Sequence, residues 1–148
     1  MSILSSTNSG TDYFKKPIED WITQELNLST SDYQLDWIPN NGGKKPIYEI
    51  NVNGRDVNLN DYRYEQLPDY IQFGDIVAGN FLCAYSKLTT AKGFPRMVGL
   101  TFDCSFSQLT SLDGMPETVD RDFICLGMPF TEEQIKAAEI KVTCKIYS

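Results

Sequence analysis

Three phenylalanine–cysteine pairs recur at one fixed interval: Phe81-x-Cys83, Phe102-x-Cys104 and Phe123-x-Cys125 each stand 21 residues from the next. Leu88, Leu109 and Phe130 keep the interval, and Leu67 falls 21 residues before Leu88. Val77, Val98 and Val119 repeat in step, as do Gly93 with Gly114 and Pro95 with Pro116. A period of this length is the signature of a solenoid, because one supersecondary unit cannot bury its apolar side until the next unit stacks on it. Stacking at 21 residues sets Phe on Phe, Cys on Cys and Leu on Leu. Residues from about Leu67 to Phe130 are therefore expected to form a short solenoid.

Each unit reads apolar-x-apolar-x-x-Ser-x-Leu, as in Phe102-Asp-Cys104-Ser-Phe-Ser107-Gln-Leu109, and continues to Leu112-Asp-Gly114-Met-Pro116. A short strand points Phe and Cys inward, and Leu109 with Leu112 closes the opposite wall. Gly-x-Pro, joining a permissive backbone to a fixed φ, turns the chain into the next coil. This is the leucine-rich-repeat pattern, with Ser86 and Ser107 where Asn usually stands. Cys83, Cys104 and Cys125 then occupy interior positions, where a free thiol behaves as a small hydrophobe. A metal site is the weaker reading: there is no CxxC pair, and a chain without histidine would need all four cysteines or added carboxylates to bind zinc.

The flanks read as caps. Residues 1–11 are rich in Ser, Thr, Asn and Gly and are expected to be a disordered leader. Pro17 suits a first helical turn, and Ile18, Trp21, Ile22 and Leu26 recur at helical spacing, which predicts a helix over about 16–27. Tyr33-Gln-Leu35-Asp-Trp37 alternates as a strand does, and residues 39–46 have the composition of an exposed loop. Tyr48, Ile50 and Val52 alternate up to Asn53-Gly54, and Val57 and Leu59 follow, so this segment reads as a hairpin with a tight turn. Residues 12–60 are thus expected to form a helix plus hairpin cap, and 61–148 the solenoid. At its far end Thr131-Glu-Glu-Gln134 is a capping-box sequence that starts a helix over 132–138, and Ile140 to Ile146 alternates as a closing strand. The expected fold class is α+β.

Twenty acidic residues against thirteen basic ones give a net charge of −7, and the longest basic runs are the pairs Lys15-Lys16 and Lys44-Lys45. Direct nucleic-acid binding is not expected of such a surface. An acidic inhibitor that imitates DNA toward a basic protein is an alternative that charge alone permits. No apolar stretch approaches the roughly 20 residues that span a bilayer, so no membrane association is expected and the chain reads as cytosolic. Without histidine, Ser-His and Cys-His nucleophilic arrangements are excluded. Asp61, Glu65 and Asp69, and the group Asp113, Glu117, Asp120 and Asp122, read as a solvated acidic rim. Neither a catalytic role nor a cofactor is expected.

The repeat and its flanks resemble a family of leucine-rich-repeat-like proteins encoded by tailed bacteriophages. That family joins a helix-and-hairpin region to units of the form GxFxCSxNxLTSLxGxPxxV and often ends in FTEE and a KxKIYV-like strand. The matching stretches here are Leu67 to Gly74, Gly79-Asn-Phe81-Leu-Cys83, Phe102-Asp-Cys104-Ser, Leu109 to Val119, Phe130-Thr-Glu-Glu and Lys145-Ile-Tyr147. The resemblance covers about residues 47–148 and implies a phage origin and a host bacterial cytoplasm rather than one biochemical role.

Candidate binding residues lie outside the expected ladders. Tyr85 and Phe106 share one repeat position and would stack on one face, with Lys87 and Gln108 beside them and Phe94 and Met115 adjacent at the turns. Grouped aromatics on a rigid surface are the usual anchors of an interface. Sequence leaves open whether Tyr85 and Phe106 are exposed or only thicken the coil wall. The expected function is a phage-encoded interaction module that binds and inhibits a host protein, such as part of an anti-phage defence system. The alternative is a homo-oligomeric, self-assembling protein, joined through solenoid ends or the sheet edge at Tyr48 to Leu59.

Overall fold

The computed structural model of the chain describes residues 9–39 and 46–148. Helix α1, Ser9–Trp21, runs into a π-helical turn at Ile22–Leu26. Residues 9–11, expected in the leader, are helical, and the rest of that leader lies outside the described residues. Pro17 sits inside α1 and not in its first turn. Ile18, Ile22 and Leu26 point into the core, and Asn27 ends the element with a left-handed φ of 54°.

Twelve short strands follow among the described residues: β1 (Tyr33–Ile38), β2 (Ile47–Val52), β3 (Val57–Asn58), β4 (Ile71–Phe73), β5 (Ile76–Val77), β6 (Phe81–Leu82), β7 (Met97–Val98), β8 (Phe102–Asp103), β9 (Thr118–Val119), β10 (Phe123–Ile124), β11 (Lys141–Val142) and β12 (Ile146–Tyr147). Helix α2, Glu132–Ala137, precedes β11. The strands build three sheets: β1-β2-β4, the all-parallel β3-β6-β8-β10-β12, and the all-parallel β5-β7-β9-β11. The result is a β-solenoid of about four turns, with a small antiparallel pair, β1 and β2, at its front.

The antiparallel pair is not the one the turn chemistry suggested. Asn53-Gly54 does not join a hairpin: β2 pairs with β1 and β4, while β3 pairs in parallel with β6 through Val57↔Phe81. Gly54 takes a φ of 74°, and its N–H bonds the Val52 carbonyl at 2.9 Å, so this dipeptide turns a corner of the coil. Val57 and Leu59 are wholly buried, and the solenoid begins with them instead of at Leu67. Their apolar side is covered by the next coil, which a two-stranded hairpin has no means to provide.

The interior is a column of rings. Phe81, Phe102 and Phe123 are inaccessible to solvent, with centroid separations of 5.9 Å and 5.0 Å along the stack. Phe73 meets Phe81 edge-on at 5.3 Å, and Phe94 leans on Phe81 at 4.8 Å. Leu59, Cys83, Cys104 and Cys125 line the neighbouring row, also fully buried.

Side chains close the coil corners. Asp56 Oδ1 accepts from Asn80 N–H (2.8 Å), Asn80 Oδ1 from Thr101 N–H (2.9 Å) and Asp122 Oδ1 from Lys145 N–H (3.1 Å). Asn60 Oδ1 accepts from Ala84 N–H, and Ser105 Oγ from Leu126 N–H. These bonds satisfy main-chain donors where the strand pattern breaks. The ladder does not run through the serines at the usual asparagine position: among the described residues the buried Ser86 hydroxyl has no hydrogen-bond partner, and Ser107 Oγ pairs with the Met128 sulfur at 3.6 Å.

Candidate interaction surface

One turn of every coil carries a residue in the left-handed region. Asp61 (φ 63°), Tyr85 (56°), Phe106 (53°) and Gly127 (71°) occupy successive rungs. Asp61 N–H donates to Ala84 O at 2.9 Å, Tyr85 N–H to Ser105 O at 2.8 Å and Phe106 N–H to Leu126 O at 2.9 Å, so the register is the same from coil to coil. Glycine and aspartate visit this region readily, whereas for a bulky residue it costs about 1–2 kcal/mol. The two central coils bear that cost twice, on adjacent rungs, with aromatic side chains.

These two aromatics are exposed. Tyr85 retains 62% of its surface and Phe106 49%, and their rings stack with centroids 5.1 Å apart and planes at 18°. The structure thus decides the alternative that sequence leaves open. Gly127 makes room for the stack, since a Cβ there would come within 2.4 Å of two Phe106 ring carbons. Lys87 and Gln108 are exposed, each two residues beyond its aromatic.

Phe94 and Met115 are corrected out of this face. They are only 8% and 6% exposed, and Phe94 packs among the interior phenylalanines, with Phe81 at 4.8 Å and Phe102 at 6.1 Å. The Gly-x-Pro turns swing these side chains inward, where they fill the corner of the coil. Three residues on the face were missed in the sequence. Asp61 and Gly127 occupy the equivalent left-handed position on the rungs either side of the two aromatics, and Leu126, 42% exposed, lies beside Phe106. The change from a 21-residue step to the 24-residue step between Asp61 and Tyr85 hid the first of these.

Several carboxylates have structural partners. Arg96 bridges Asp75 (3.7 Å) and Glu117 (2.9 Å) across three coils, and Asp122 closes a corner. Among the described residues no group of three or more His, Cys, Asp or Glu side chains is placed to hold a metal ion, and no helix is long and apolar enough to cross a membrane. Burial pushes the thiols of Cys83, Cys104 and Cys125 upward, Cys125 to about 11, and keeps them protonated and unreactive. An open cleft of about 800 Å³ lies between α1 and the 62–70 turn, with Trp21, Tyr62 and Tyr64 among its walls.

Compared with protein-family models, curated proteins and solved structures, the chain matches none.

Proposed function

We propose that the protein is a non-catalytic interaction module of leucine-rich-repeat-like 21-residue coils, which binds another protein through the Tyr85–Phe106 face. One observation carries this reading: two stacked aromatics stand exposed at left-handed positions, where Asp or Gly would fold at less cost. Conformational cost kept at exposed residues points to a use outside folding. Rigid, solvent-facing Tyr and Phe supply the area that anchors interfaces. The resemblance to phage proteins supports the narrower reading: a protein acting in the host bacterial cytoplasm, binding and blocking a host protein such as a component of an anti-phage defence system.

The test is affinity capture from bacterial lysate with the wild-type chain beside a Tyr85→Ala/Phe106→Ala variant of verified fold. A specific protein captured by the first and lost by the second is expected. Equal capture by both removes this face from the reading.

A second reading, self-assembly, is favoured by the sheet edges, since β1, β11 and β12 each end a sheet with one side unpaired by any described strand. Sedimentation at millimolar concentration separates the two, because edge pairing requires a mass that rises with concentration.

A further inference from the structure

We infer that the first rung of the left-handed ladder, Asp61 with the outer face of Tyr85, receives an arginine side chain from a basic segment of the partner protein. This inference rests on the interaction reading above and names the chemistry that the partner must present.

The ring stack is closed at one end and open at the other. Phe106 lies against the backbone of Gly127 on one side and Tyr85 on the other, while among the described residues no ring lies on the second face of Tyr85. The next rung in that direction is Asp61, which is exposed and has no ring to extend the stack. Among the described residues its carboxylate enters no ion pair and no hydrogen bond. Adjacent parallel strands lie about 4.8 Å apart. A flat group laid on Tyr85 therefore comes level with Asp61, its face on the ring and its edge toward the carboxylate.

Guanidinium suits that place better than any other side-chain group. It is planar, permanently charged, stacks on aromatic faces, and offers paired N–H donors along one edge to a carboxylate. An ammonium has the charge without the plane. The chain already makes this arrangement with its own residues: the Arg63 guanidinium lies over the Tyr64 ring at 5.1 Å, with Glu25 Oε2 at 3.6 Å. The net charge of −7 draws a basic segment toward the surface. Lys87 opposes it, being exposed two residues from Tyr85 and without an ion-pair partner among the described residues.

The test uses the full chain and a capped Gly-Arg-Gly-Arg-Gly peptide, titrated by NMR, with the citrulline peptide as the uncharged isostere. Saturable shifts at Asp61 and Tyr85 are expected, with a Kd on the order of a millimolar for so short a probe. Asp61→Asn keeps the left-handed backbone, which Asn tolerates, and is expected to weaken binding about fivefold, whereas Lys87→Ala strengthens it about twofold. Equal binding of the citrulline peptide, or an unchanged Kd in Asp61→Asn, overturns the proposal. A captured protein lost by Tyr85→Ala/Phe106→Ala but held with full affinity by Asp61→Asn also overturns it, and leaves the interaction reading standing.

Discussion

Phe106 rests so closely on Gly127 that a single added carbon at position 127 would lie 2.4 Å from two of its ring atoms. The last coil thus gives up a side chain so that the third can hold its ring against Tyr85. Gly127→Ala is expected to destabilise the protein by about 1–2 kcal/mol through its left-handed φ alone, with a further cost for moving the ring. In a Phe106→Ala background that further cost should vanish. Urea denaturation of the four chains in the cycle measures it, and full additivity would show that the contact carries no energy.

Tyr85→Asn should leave stability within about 1 kcal/mol of wild type. Asparagine relieves the left-handed strain, and the loss of an exposed ring stack offsets that gain by a similar amount. A midpoint shift by the full cost of a core residue would mean that Tyr85 serves the fold.

Phe102 behaves in the opposite way. It is wholly buried between Phe81 and Phe123, so Phe102→Ala should cost about 3–5 kcal/mol by leaving a cavity. Phe102→Asp should abolish the folded state by placing an unpaired carboxylate in the ring column, which circular dichroism reads directly.

All four cysteines are free, with Cys144 exposed and Cys83, Cys104 and Cys125 buried. An aromatic disulfide reagent at neutral pH should label one thiol in the native protein and all four in denaturant. Rapid native labelling of a second thiol would contradict the stacked row.

Alkali should weaken the fold. Burial raises the three interior thiols, so in the folded chain they keep their protons above the ordinary value of 9, where the unfolded chain releases them. The unfolded state then binds fewer protons, and stability falls as pH rises from about 9, with the Cys125 contribution levelling off near 11. The slope is up to about 1.4 kcal/mol per thiol per pH unit. Tyr33 and Tyr62, also raised by burial, add to the same trend. A urea midpoint lower at pH 10 than at pH 7.5, with a shallower fall in Cys83→Ala, is the expected result.

Much of this organisation was legible in the chain because a solenoid writes its packing into its period. Phenylalanines that recur in step must either stack or stay exposed, and a column of rings follows from burying them. The solenoid, its interior row of Phe and Cys, and a small antiparallel sheet ahead of it were therefore determined by sequence alone. The tertiary structure decided what periodicity does not encode. Asn53-Gly54 suits a hairpin and a coil corner equally, and only the buried contact of Val57 with the Phe81 coil chose the corner. Phe94 and Met115 stand beside the face in sequence but turn inward, because a corner must be filled from one side or the other. Whether Tyr85 and Phe106 meet water depended on backbone hand. A left-handed residue at that turn directs its side chain away from the interior, and φ is set by the bonds between coils, not by the residue's own preference.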